Sequence, residues 1–144
     1  MTSTDLTALL DGWLNGMSAT LRLEIDNEPV SLHRHVQGIA CCAAIPLPGD
    51  AGEAVLERAL QLATVARRQY GEDAAALSLS AQDEQLWLWM KPEPDDVLQL
   101  CRCLEMLLNQ RDVWQSLLAS TRAAAAPGPL NLNTLAFLQG DRHA

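Results

Sequence analysis

Aromatic residues are few: six in 144, four of them Trp. Positive charge is also scarce, with ten Lys and Arg against eighteen Asp and Glu, a net charge of -8. A surface of that sign repels phosphate, so neither nucleic acid nor an anionic membrane is expected as a partner. No stretch approaches 18 apolar residues without a charge, so no transmembrane helix is expected. Met1-Thr2-Ser3-Thr4-Asp5 has no basic segment and leads into no long apolar one. A signal peptide is therefore not expected, and the cytosol is the default compartment.

Chemical motifs are missing as well. Gly-rich phosphate loops, G-x-S-x-G, H-E-x-x-H and the acidic calcium loop do not occur. The four cysteines, Cys41, Cys42, Cys101 and Cys103, lack C-x-x-C spacing and read as reduced apolar fillers. His33 and His35 would share one strand face, but two ligands without a supporting carboxylate or Cys make no metal site. They read as solvent-facing. The pairs Glu72-Asp73, Asp83-Glu84 and Asp95-Asp96 fall at turns or helix starts, where solvation and the helix dipole account for them. The expectation is a protein with no enzymatic activity, no metal and no cofactor.

What the chain does have is aliphatic bulk. Apolar residues make up 49%, with 26 Leu and 21 Ala, enough for one compact domain without a metal or disulfide. The first helix is expected from about Thr4 to Gly16, capped by Thr4 or Ser3, with Leu6, Leu9, Leu10, Trp13, Leu14 and Met17 at helical spacing. Leu21, Leu23 and Ile25 then alternate with polar neighbours, a half-buried strand. A turn at 26–29 leads into a second alternating strand over Val30–His35, and Ile39–Ile45 makes a third. A second helix is expected over about Gly52–Tyr70, and a short strand around Leu77 and Leu79 follows. Leu86-Trp87-Leu88-Trp89-Met90 is apolar on both faces. The Trp face needs a cover, and both a helix of the same chain and a second subunit qualify. The third helix is expected over about Asp95–Ser120, with a bend or break near Asn109 where Arg111 and Asp112 interrupt its apolar stripe. From Arg122 the composition shifts to Ala, Pro and Gly. The division is a domain at 1–121 and a segment at 122–144, read as a flexible linker with an apolar tail or as a tail that docks on a surface.

The element order is helix, three strands, helix, two strands, helix. Together with the opening helix Leu6–Leu14, the Leu21-Arg22-Leu23-Glu24-Ile25 strand, the Trp87–Met90 strand and the closing Val113-Trp114-Gln115-Ser116-Leu117-Leu118, this order resembles the class I type III secretion chaperones. The resemblance covers about residues 4–121 and implies an α+β fold: one twisted antiparallel sheet packed by helices, in a homodimer. It implies a bacterial cytoplasmic protein that binds the N-terminal segment of a secreted effector in extended form, keeps it soluble and presents it to the export ATPase. By position, the effector-contact candidates are Leu9, Trp13, Leu21, Leu23, Leu32 and Ile39, flanked by His33 and Arg34. The dimer-interface candidates are Leu62, Ala66, Trp87 and Trp89. A regulatory chaperone of the same fold, binding an anti-activator or apparatus protein, is the alternative. A small non-enzymatic adaptor or ligand-binding α+β domain is the other.

Overall fold

The computed structural model describes residues 2–46, 52–80, 82, 85–93 and 96–125. The turn signals expected at Pro48, Gly49, Asp50, Asp83, Glu84, Pro94 and Asp95, and the tail from residue 126, lie outside the described residues.

Helix α1 runs Ser3–Asn15. Its cap is Thr2 rather than Thr4 or Ser3, because Asp5 sits three residues on and closes a capping box. The Asp5 amide donates to Thr2 Oγ1 at 3.2 Å, and Thr2 N–H donates back to the Asp5 carboxylate at 3.0 Å. The Thr2 hydroxyl, donating to the Asp5 carboxylate at 2.6 Å, and then the Thr2 N–H hold this exposed carboxyl below its ordinary pKa.

Strands β1 (Thr20–Ile25) and β2 (Glu28–His35) form a hairpin around Asp26-Asn27. Both turn residues take positive φ, 57° and 63°, the two-residue turn that matches strand twist and that Asp and Asn tolerate. Strand β3 (Gly38–Ile45) returns beside β2. Helix α2 (Glu53–Tyr70) ends at Gly71, and a single 3-10 turn, Gly71–Asp73, leads into β4 (Ala76–Ser80) and β5 (Gln85–Met90). The sheet order is β1-β2-β3-β5-β4, antiparallel throughout. The expected α+β fold is observed.

Helix α3 runs Val97–Ala125. It runs unbroken through Asn109, where a bend or break was expected, and the two polar side chains there find partners. Gln110 bonds the Ala75 amide at 2.8 Å, and Arg111, 3% exposed, donates to Asp112 Oδ1 from Nε and Nη2 at 3.1 and 3.0 Å. Asp26 lies 3.9 Å from the same guanidinium. The helix also passes Thr121, since the alanines that read as a linker are the strongest helix formers.

All the helices pack on one face of the sheet. The core joins Leu10 and Trp13 of α1, Val55, Ala59 and Leu62 of α2, and Leu100, Leu104, Leu107, Trp114 and Leu118 of α3. The sheet contributes Leu23, Val30, Leu32, Ile39, Cys41, Ala43, Ile45, Leu86 and Leu88. Every one of these strand residues lies on the same side by the pairing register.

Candidate partner-binding surface

The other face of the sheet carries Ser31 and His33 of β2, Ala40, Cys42 and Ala44 of β3, Ser78 of β4, and Trp87 and Trp89 of β5. Cross-strand pairing sets Cys42 beside Trp89 and Ala44 beside Trp87. Both small residues are buried, yet neither belongs to the core beneath the helices. The indoles cover them and stay half-buried themselves. Among the described residues, then, no helix supplies the cover that the tryptophans need.

Trp89 is fixed by its neighbours. The His33 ring stacks on it with centroids 5.7 Å apart. His33 is in turn held by Ser31 Oγ, 3.0 Å from Nε2, and by Thr20 Oγ1, 3.4 Å from Nδ1. Ser31 Oγ also lies 2.9 Å from Cys42 Sγ, which donates to the Ser31 carbonyl at 3.3 Å. His33 is therefore not the free solvent-facing side chain expected, although His35 is exposed. Burial, with His35 and Arg22 nearby, pushes the His33 pKa below its ordinary 6.5. Burial pushes the Cys42 thiol up. The indole N–H of Trp89 is buried and, among the described residues, has no acceptor.

The effector-contact candidates separate by depth. Leu9 is 40% exposed on α1, and Leu21 is half-buried on the edge strand β1. Trp13, Leu23, Leu32 and Ile39 are core side chains. His33 and Arg34 are adjacent but face opposite ways. Arg34 points to the helix side, where its guanidinium lies 4.7 Å from the Trp13 ring centroid. Its Nη2 donates to the Trp13 carbonyl at 2.7 Å and reaches the Leu14 carbonyl at 3.4 Å. The last turn of α1 holds no basic residue, so Arg34 supplies the cation that the helix C-terminus favours. Of the dimer candidates, Trp87 and Trp89 share the open face, Leu62 is buried under α2, and Ala66 is half-buried.

Sequence reasoning missed the Ser31–Cys42–His33 network. Its signal was the register that a two-residue turn at Val36-Gln37 would have fixed, which sets Ser31 opposite Cys42. It also missed that Leu60 and Val65 of α2 stay 69% and 54% exposed. The breadth of that helix's apolar face, wider than one contact can bury, was the clue.

No protein-family model matches the chain, and no curated protein matches it by sequence. Solved structures do. A chain of the heterodimeric ExoU–SpcU complex from the type III secretion system of Pseudomonas aeruginosa aligns with a TM-score of 0.53 at 23% identity, over 77% of this chain and 95% of that one. A chain of the HopA1–SchA chaperone–effector complex aligns at 0.53 and 15% identity, over 78% and 92%. A chain of the ExsC–ExsE complex aligns at 0.57 and 17%, over 79% and 91%. The chain thus has the fold of type III secretion chaperones. Among the described residues, no helix is long and apolar enough to cross a membrane, and no cluster of His, Cys, Asp or Glu would hold a metal.

Proposed function

We propose that this protein is a type III secretion chaperone, a homodimer that binds the N-terminal segment of a secreted effector in extended form and hands it to the export ATPase. On this reading it is a binding protein of the bacterial cytoplasm and not an enzyme. The observation that carries it is the one-sided sheet. A half-buried Trp face without helix cover lies on β5, separated by β3 and β2 from a free edge, β1, whose backbone can take a further strand. The Trp face suits a second subunit, and the edge with Leu21 and the exposed Leu9 suits an extended apolar segment. Folding of a disordered segment on binding costs about 2–5 kcal/mol, so the contact must be long.

The test is affinity purification of the full chain from cells carrying the secretion system, with light scattering of the product and mass spectrometry of what stays bound. A dimer holding an effector fragment is expected. Retention of an anti-activator or apparatus protein would favour the regulatory alternative. A monomer that retains no secreted or regulatory protein would overturn the reading.

A further inference from the structure

Strand β5 stops pairing with β3 at Met90, opposite Cys41. Strand β3 begins three residues earlier, at Gly38, and over Gly38–Ala40 it pairs with β2 alone. The sequence gives the reason. Continuing the register would set Pro92 opposite Ile39, and proline brings no N–H to a ladder. The direction of the freed groups follows from the neighbouring hairpin. Arg34 N–H donates to the Ala19 carbonyl at 2.8 Å, on the β1 side. Backbone groups in an antiparallel ladder alternate sides, so Arg34 turns away from β3 and its partner Ile39 turns away from β2. The N–H and C=O of Ile39 therefore face the place that β5 vacates.

A cavity of about 770 Å³ occupies that place. Gly38–Ala40 form one wall. The opposite wall is the 72–76 segment, held by Gln110, which accepts from the Ala75 amide and donates to the Asp73 carbonyl at 2.6 Å. Met90, Cys103 and Met106 line it on the helix side. Its rim carries Glu72, Asp73 and Glu93 against one Lys, Lys91, which is 3.4 Å from Glu93.

We propose that this gap is a binding slot for one short extended segment of the partner, an apolar residue between two basic ones, lying where β5 would have continued. The proposal rests on the chaperone reading above and assigns it a particular contact. The middle residue of the segment pairs with Ile39 through both backbone groups. Its side chain then shares the face of Ile39 and enters the apolar side of the cavity. The flanking side chains point to the opposite face, beside Trp89 and Ala76 and within reach of the acidic rim. Glu72, Asp73 and Glu93 outnumber Lys91, so arginine or lysine is favoured at both flanks.

The test uses the full chain, labelled with nitrogen-15, and a blocked peptide of sequence Arg-Val-Arg-Leu-Arg. In the free protein the Ile39 amide should exchange quickly, unlike that of Cys41. Peptide should shift the Ile39 and Met90 amides and slow Ile39 exchange at least about tenfold. The E72Q/D73N double variant, altered only at exposed side chains, should weaken binding about three- to tenfold. An unmoved Ile39 amide, or equal binding of Glu-Val-Glu-Leu-Glu, would overturn the slot. So would protection of Ile39 before peptide is added, which would assign the gap to the chain's own end or to a second copy. If Ile39 fails this test while the chain still retains an effector fragment, the slot falls and the chaperone reading stands. If the peptide occupies the slot but no secreted protein is retained, the slot stands and the chaperone reading falls.

Discussion

Gln110 is 3% exposed in the middle of α3, and its side-chain amide ties the helix to the start of β4. Replacing it with Met keeps length and bulk but removes both bonds. The Ala75 residue is only 8% exposed, so its N–H has no ready water to replace the lost acceptor. An orphaned buried donor costs about 1–3 kcal/mol. Asp73 is exposed, so its carbonyl recovers water and loses about 0.5–1 kcal/mol at most. Q110M should therefore lose about 1.5–4 kcal/mol. With a urea slope of about 2 kcal/mol/M, the midpoint falls by about 0.75–2 M at matched protein concentration. Q110E supplies the control. At pH 8 it keeps an acceptor for Ala75 but buries a charge against the Asp73 carbonyl, and should be less stable than Q110M. Burial raises the pKa of that carboxyl in the folded state. The penalty is therefore full above the raised value and shrinks as pH falls through it, because the protonated acid again donates to Asp73. Urea titrations at several pH values read both effects. A Q110M loss under about 0.5 kcal/mol, or a Q110E deficit that does not change with pH, would refute the reasoning.

Three further outcomes follow from the same geometry. Replacing Trp87 and Trp89 together with Glu should abolish the proposed dimer, giving monomer or aggregate; a folded dimer in light scattering would move the interface elsewhere. R34M removes the cation over Trp13 and the charged bond to its carbonyl, and should cost about 1–2 kcal/mol in chemical denaturation; a cost near zero would mean that the α1 C-terminus needs no cation. His33 has its pKa lowered in the folded state, so the unfolded chain takes up a proton first as pH falls below 6.5. Stability should drop as pH falls through 6.5 and level off in this contribution once the folded-state imidazole is protonated too, and H33N should flatten that slope; equal slopes would remove His33 as the cause.

Much of the fold was legible because the signals were local. The alternation Leu21, Leu23, Ile25 and the helical spacing of Leu6, Leu10, Trp13 and Leu14 each report which side meets the core, while Leu9 of the same spacing stays exposed. Both faces of Leu86–Met90 were also readable, since strand side chains alternate without exception. What escaped was tertiary. Arg111 looked like an interruption of α3, because sequence does not show that Asp112 and Asp26 would take its charge. Thr2 was passed over as cap because Ser3 and Thr4 compete on type, and only the capping box with Asp5 decides. For the site, the Trp face was visible and its lack of a helix was not. Which side the helices take is settled by chain crossings, and those leave no mark on a single strand.

The two edges of the sheet differ in a way that bears on assembly. Strand β1 carries Arg22 and Glu24, both exposed. Charges on an edge oppose pairing between copies of the same chain, so this edge stays in water until a suitable strand arrives. Strand β4, Ala76–Ser80, has five residues and no charge, and Leu79 is 50% exposed. Nothing on it discourages pairing or apolar contact, and its neighbour β5 presents both tryptophans. An unguarded edge beside an uncovered aromatic face would make a free monomer prone to aggregate. The net charge of -8 slows encounters between copies but covers no apolar surface. A second subunit over β4 and β5 would remove the hazard and leave β1 as the open edge. On this account the dimer and the effector segment that pairs with β1 occupy opposite ends of one sheet, and the charges on β1 keep a second copy from pairing there.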